Sequence, residues 1–327
     1  MAHSETKSHQ SPGAIRPRRS SRASVRQAIL LAAAALLAAA CTGGSTGPSG
    51  AASGKSIVVT YSILGAVVKD LVGPEATVTV LMPNGSDPHD WAPSAKDIET
   101  MTKADLLVEN GLNLEGGMGD AFTQAERAGV KRFIASDHIT VRHVGAGEGI
   151  DASADQLAGA PDPHLWMDPL TIRDVVAALA AELTTDLGID VSARATDLEA
   201  RLTALNDQLT AILNSVPPAQ RSLVTGHESL GYFAQRYGFK LVGAIIPSLS
   251  SQAESSAANL AALEAKVRAT GVKAVFTELG TDPSVAQAVG RDTGAEVVQL
   301  TTHAVPADGS YFTFVTNIAN LVAENLK

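Results

Sequence analysis

One cysteine, Cys41, serves the whole 327-residue chain. The protein therefore has no disulfides and no spare cysteine nucleophile, and its stability must come from a packed core. Long apolar runs are missing too. Ala28–Ala40 is shorter than the roughly 20 residues of a spanning helix, and no later run is long enough to span. The chain carries no Gly-X-Ser-X-Gly, no phosphate-binding glycine loop and no internal repeat. His227-Glu228 begins like the His-Glu-X-X-His of a metalloprotease, but residue 231 is glycine, so the second ligand is absent. An enzymatic reading survives only as a metallohydrolase with an open coordination position on a bound ion. A surface adhesin is a third class, and no feature of the sequence supports it.

The N-terminus decides the compartment. Residues 1–26 are polar and carry Arg16, Arg18, Arg19, Arg22 and Arg26, followed by the apolar run and the small residues Ala38-Ala39-Ala40. Basic, apolar, small is the order of a secretory signal peptide, so residues 1–40 read as one. Cys41 falls at the cleavage position, in a degenerate lipobox with alanine where leucine is commonest. It is the expected site of lipidation. Residues 41–54 are rich in Gly, Ser, Thr and Ala, the composition of a flexible tether. Together these features predict a lipid-anchored protein on the extracytoplasmic face of a bacterial cell membrane.

Residues 1–40 carry Lys7 and five arginines against Glu5, a net of +5 within a chain of −9, so residues 41–327 carry −14. An acidic body argues against a nucleic-acid partner and is compatible with attracting cations. From Ser56 onward short apolar runs alternate with helical stretches: 56–61, 77–82, 106–110 and 132–135, then again 223–225, 240–245, 274–277 and 296–300. Two such series predict an α/β protein with two Rossmann-like lobes built on parallel sheets, residues 55–187 and 219–327. Between them, Leu198, Leu202, Leu205, Leu209 and Ile212 form one helical stripe. That places a long linking helix at 188–218, with Ser192 able to cap its start and Pro217-Pro218 stopping it. A continuous helix joining two lobes predicts limited domain motion. Val144–Ala160 reads as a surface loop.

Of eight histidines, four stand where metal ligation makes sense: His89, His164, His227 and His303. Each follows a predicted strand or lies in a proline-marked loop, and open α/β sheets bind ligands beyond the carboxyl ends of their strands. Imidazole is a common zinc ligand. Any one of these histidines, taken alone, has an ordinary alternative as a surface or core residue. His138 and His143 read as surface residues.

The motifs around these histidines, Gly-Ser-Asp-Pro-His-Asp-Trp-Ala-Pro (85–93), Asp-Pro-His-Leu-Trp-Met-Asp-Pro (162–169) and His-Glu-Ser-Leu-Gly-Tyr-Phe (227–233), resemble the solute-binding lipoproteins of zinc and manganese ABC importers. The resemblance runs from Ser56 to the C-terminus and includes residues 110–115, Phe276-Thr277-Glu278 and 309–317. It implies one metal ion in the cleft between two lobes, captured with high affinity and passed to a membrane permease with its ATPase. Carried over residue by residue, His89 and His164 match the first lobe's ligands. His227 matches the third, which is histidine in zinc-type members and glutamate in many manganese-type ones. The fourth is usually aspartate in a Thr-Asp-Ser context, and here Thr302-His303-Ala304 occupies it. Asp308, or a water, is the rival oxygen donor.

Three or four imidazoles favour Zn²⁺ over the alternative cargo, Mn²⁺, which prefers oxygen. Asp87, Asp90, Asp168, Glu228 and Glu278 are candidates to orient the imidazoles. The expected protein is a monomer and not an enzyme. Trp91 and Trp166 each follow a ligand candidate by two residues, so both are expected to sense the ion. Several histidines acting together predict a loss of affinity on acidification steeper than one proton per ion.

Overall fold

The computed structural model describes residues 54–145, 148 and 158–327. The signal segment, Cys41, the tether up to residue 53 and most of the 144–160 loop lie outside the described residues. None of the described helices is long and apolar enough to cross a membrane.

The alternating runs build two four-stranded parallel sheets. In the first, β1 (Ser56–Val59), β2 (Thr77–Val80), β3 (Leu106–Glu109) and β4 (Lys131–Ile134) lie in the order β2-β1-β3-β4. The second repeats the plan with β5 (Ser222–Thr225), β6 (Lys240–Ala244), β7 (Ala274–Thr277) and β8 (Glu296–Gln299), in the order β6-β5-β7-β8. The central strands are apolar on both faces because helices cover both; Ile57, Val58 and Val59 are all fully buried. Several strands stop before the apolar run does. Tyr61 and Met82 lie beyond β1 and β2 yet remain buried, because the chain turns over the sheet's end under other elements.

From β1 the chain goes to one neighbour, β2, and then returns to the other side as β3. The reversal is repeated around β5. Such a reversal leaves a crevice at the carboxyl ends of the strands, since the two connections leave in opposite directions. Each lobe presents one crevice of this kind.

The helices are α1 (Ser62–Val72), α2 (Ala95–Thr102), α3 (Gly119–Arg127), α4 (Pro169–Glu182), α5 (Ser192–Leu213), α6 (Gly231–Tyr237), α7 (Ala257–Thr270), α8 (Pro283–Thr293) and α9 (Tyr311–Asn325). α5 is the long helix foreseen between the two sheets, and it packs on α1, α4 and α9. Its buried stripe is Leu198, Leu202, Leu205, Leu209 and then Leu213, whereas Ile212 is only half-buried. At 3.6 residues per turn the stripe drifts, and a last step of four residues rather than three brings Leu213 rather than Ile212 inward. Ser192 does not cap the helix. It is the first helical residue, and its backbone N–H donates to the Asp190 carboxylate at 3.0 Å. A carboxylate two residues ahead holds the free N–H group better than a side chain already inside the first turn.

One large apolar core runs through the first sheet, α4, α5 and α9 and on to Leu223, Phe233 and Phe276 beside the second sheet. A smaller core, including Val224, Val242, Leu263, Val275 and Val289, closes the outer face of that sheet. Polar links also join the two halves. Arg236 grips Asp168 through both oxygens at 2.9 and 2.6 Å, Asn84 exchanges two 2.9 Å hydrogen bonds with Val305, and Tyr311 donates to the Trp166 carbonyl at 2.9 Å.

Candidate metal centre

The two crevices face each other, and histidines from both meet there. His89 sits in the loop between β2 and α2, and His227 lies two residues beyond β5. Gly226, between β5 and His227, has room for no side chain: a Cβ there would fall 2.1 Å from Thr281 Oγ1 and 3.0 Å from Glu278 Cγ. This close approach lets the carboxyl end of β5 meet that of β7. His164 precedes a short helical turn, Leu165–Met167. Its neighbour Pro163 is held through its carbonyl by Asn110 Nδ2 at 2.8 Å. Asn110 opens a loop in which Gly111, Leu112 and Asn113 all take positive φ, a conformation rare for leucine.

The Nε2 atoms of His89 and His164 are 3.3 Å apart, and those of His164 and His227 are 3.1 Å apart. Candidate ligand atoms of all three residues lie within 4.8 Å of one another. An ion bound to each nitrogen at ~2.0–2.1 Å in a tetrahedron sets neighbouring nitrogens about 3.3 Å apart, so the spacing suits zinc. His164 and His227 are fully buried, while His89 is half-buried at the mouth. The residues flanking His89 in sequence, Asp87, Asp90 and Trp91, line a cavity of about 400 Å³ together with Gln252, Leu279 and Gly280.

The structure leaves His303 beside this trio rather than within it. It is buried, and its ring stacks 5.9 Å from that of His227. Its ligand atoms are nevertheless not part of the close set. Its Nδ1 lies 2.9 Å from Thr302 Oγ1, and that hydroxyl donates to Glu278 Oε2 at 2.8 Å. A hydroxyl that donates its one proton must accept from Nδ1–H, which leaves a lone pair on His303 Nε2. That nitrogen is buried and unpartnered. Asp308 is elsewhere: it is exposed, and its oxygens accept from Ser310 N at 3.0 Å and Thr313 Oγ1 at 2.6 Å.

The other nitrogens of the trio are served by buried carboxylates. His164 Nδ1 donates to Asp162 Oδ1 at 2.8 Å. His227 Nδ1 lies 3.0 Å from Glu278 Oε1, an ion-pair contact rather than an in-line hydrogen bond, and His227 N donates to the same oxygen at 3.1 Å. Ser229 adds a hydroxyl at 2.8 Å. Burial alone would raise the Glu278 pKa, but His227, His303 and Ser229 outweigh it and hold the carboxyl well below its usual range. Burial likewise disfavours the His227 cation, yet Glu278 reverses the sign and the pKa is raised. Burial and three neighbouring imidazoles push His89 down to about 2. Burial, with His227, pushes His303 down to about 4. Among the imidazoles that are shifted, His227 alone is moved toward its protonated form.

Of the carboxylates proposed to orient the imidazoles, Glu278 alone contacts one of the trio's rings among the described residues. Asp87 holds the His89 backbone N–H at 3.0 Å. Asp90 is exposed, and Glu228 is buried beside His227 with its backbone N–H on the Ser248 carbonyl at 2.9 Å. Asp168 caps α4 and binds Arg236. Asp162 was missed. The signal was present: Asp-Pro-His occurs twice, at 87–89 and 162–164, and in both copies the aspartate accepts from the histidine N–H at 3.0 Å. His138 and His143 are exposed, as expected, with His138 stacked on Phe133.

The chain matches the family described as zinc-uptake complex component A, periplasmic, over residues 57–325. The chain belongs to this family. Among curated relatives it is 28% identical over 269 residues to the manganese-binding lipoprotein MntA of Halalkalibacterium halodurans, covering 81% of this chain and 85% of that one. It is 27% identical over 295 residues to the metal ABC transporter substrate-binding lipoprotein FimA of Streptococcus parasanguinis, covering 86% and 93%. It is 28% identical over 267 residues to the zinc-binding protein TroA of Treponema pallidum, covering 80% and 81%. The solved periplasmic zinc-binding protein TroA superposes with a TM-score of 0.72 at 25% identity, over 84% of this chain and 99% of that one. A crystal structure of ZnuA shares the fold, with a TM-score of 0.71 at 24% identity, covering 84% and 100%. The family's names span both zinc and manganese.

The two tryptophans differ more than their spacing suggested. Trp166 is fully buried, with its ring 5.3 Å from His164 and 6.2 Å from His303. Trp91 is half-buried against the apolar core, with its backbone carbonyl over Gly117. Metal-induced change in intrinsic fluorescence should therefore survive Trp91→Phe and vanish in Trp166→Phe. A signal lost only in the Trp91 variant would mean that the ion sits nearer the mouth.

Proposed function

We propose that this protein is the extracytoplasmic solute-binding component of an ABC importer and that its cargo is Zn²⁺. The observation that carries this reading is the convergence of three imidazole Nε2 atoms at 3.1–3.3 Å, two of those imidazoles backed by buried carboxylates. In this reading His89, His164 and His227 are ligands. His303 is the fourth: its Nε2 is buried, unpartnered and next to His227, whereas Asp308 is exposed and already engaged. Donors that are all nitrogen favour zinc over manganese, the cargo named for several relatives. Asp162 and Glu278 supply the negative charge that four neutral imidazoles lack.

The remaining assignments follow from that role. The lobes at 55–187 and 219–327, bridged by 188–218, hold the ion between them and present it to a permease with its ATPase. Cys41 carries the lipid that keeps the protein, a monomer, at the membrane's outer face. No catalytic step is assigned to it. Metal analysis of protein purified without a histidine tag, followed by zinc–manganese competition in calorimetry, tests the reading. One zinc per chain that excess manganese fails to displace is expected; a preference for manganese would reassign the cargo. Cys41→Ser should move the protein from the membrane to the soluble fraction, and unchanged fractionation would remove the lipid anchor.

A further inference from the structure

We propose that Arg142 is a positioning residue for metal capture: it fixes the carboxylate plane of Asp162, which aims His164, and ties that aim to the docking of the second lobe. The inference rests on the reading of His164 as a ligand. Asp162 is fully buried, and its two oxygens take different partners. Oδ1 accepts from His164 N at 3.0 Å and from His164 Nδ1 at 2.8 Å. Oδ2 accepts from Arg142 Nη1 at 3.0 Å. With only Oδ1 held, the carboxylate could turn about Cβ–Cγ and carry the imidazole with it. The guanidinium removes that freedom.

Arg142 is itself held from several sides. Its carbonyl accepts from Asp162 N at 2.9 Å, and the next residue pairs with Pro161 in an antiparallel bridge. Its second terminal nitrogen pairs with Glu148. Its backbone N–H donates to the hydroxyl of Tyr232, on α6 of the second lobe, at 3.0 Å. Gly231, the first residue of α6, lies against the ion pair. A Cβ there would stand 2.1 Å from Asp162 Oδ2 and 2.5 Å from Arg142 Nη1. The start of α6 and the support of His164 therefore share one contact.

Stability alone is a poor explanation for this pair. Side-chain exposure is 3% for Arg142 and 0% for Asp162, and a buried ion pair is often no more stabilising than apolar residues of similar volume. Its use is in fixing position. The other Asp-Pro-His copy makes the contrast: Asp87 has no arginine on its second oxygen but the Ser251 hydroxyl at 2.6 Å, and His89 is held by its backbone N–H.

Full-length protein carrying Arg142→Gln should bind zinc about 10–100-fold more weakly and should change the visible spectrum of the Co²⁺-loaded site. Adding Asp162→Asn should cost nothing further, because both changes cut one link. Arg142→Lys should recover part of the affinity. Arg132→Gln is the matched control, since Arg132 pairs with buried Glu109 away from the histidines. It should lower thermal stability without moving zinc affinity or the cobalt spectrum. If Arg142→Gln behaves like that control, or if its loss adds to that of Asp162→Asn, the inference is overturned. If Arg142→Gln does not fold, Arg142→Lys and Asp162→Asn carry the comparison: parental affinity and spectrum in both would overturn it equally. His164→Ala separates the levels. Zinc lost there but kept in Arg142→Gln sinks only the role of Arg142, whereas a parent that binds no zinc sinks the metal reading as well.

Discussion

His164→Ala should weaken zinc binding by about a thousandfold. Four-ligand zinc sites bind with about 10–16 kcal/mol, so one ligand of four is worth on the order of 4 kcal/mol, or three decades in affinity. His164 is chosen because its Nε2 stands between the other two, 3.3 Å from His89 and 3.1 Å from His227. Its removal also leaves Asp162 buried with its Oδ1 contacts to the imidazole gone. His303→Ala should cost less, since its ring stands outside the close trio. His303→Asp should retain binding and shift preference toward manganese, because the new donor is a hard oxygen. Asp308→Ala should leave affinity within about twofold, as expected of an exposed residue remote from the ligands. Competition against a chelating dye measures all four. A thousandfold loss in Asp308→Ala, or none in His164→Ala, would overturn the ligand set.

Zinc affinity should fall as the pH drops through the raised His227 pKa, approaching a limiting slope of one proton per ion below it. The sign follows from where the protons sit. The raised pKa of His227 means that its proton is present below that value and must leave when the ion arrives. Affinity is therefore highest above the His227 pKa and declines as pH falls through it. His89, pushed to about 2, and His303, pushed to about 4, are already neutral across this range and release nothing. Counting histidines predicts a steeper loss, and the measured slope decides between the two. Glu278→Gln should flatten the profile, because the carboxylate that retains the proton is gone, and should weaken binding about 10–100-fold. A slope of two or more would mean that a second imidazole is protonated in the metal-free cluster.

The lobes, their parallel sheets and the long helix were legible because each rests on local periodicity. The short β-branched run Ile57-Val58-Val59 reads as a strand buried on both faces, and the leucine stripe from Leu198 reads as one face of a helix. Element ends were less legible. Asp190 rather than Ser192 holds the start of α5, and Leu213 replaces Ile212 in the stripe, because caps and stripe ends depend on small shifts in backbone phase. Three of four candidate ligands were brought together as expected, since each lies in a loop beyond a strand end or between prolines. The fourth stands alongside.

By itself the sequence determined the two-lobe α/β plan, the histidines and the order of the motifs, all of which are properties of neighbouring residues. Only the tertiary structure decided the rest. It selected Asp162 and Glu278 over Asp90 and Asp168 as supports for the imidazoles, put the Trp166 ring against His164, and raised the His227 pKa through Glu278. Those outcomes depend on which side chains meet across the cleft and how far water is excluded there. Both are set by contacts between residues as far apart in sequence as Arg142 and Tyr232, which no local pattern encodes.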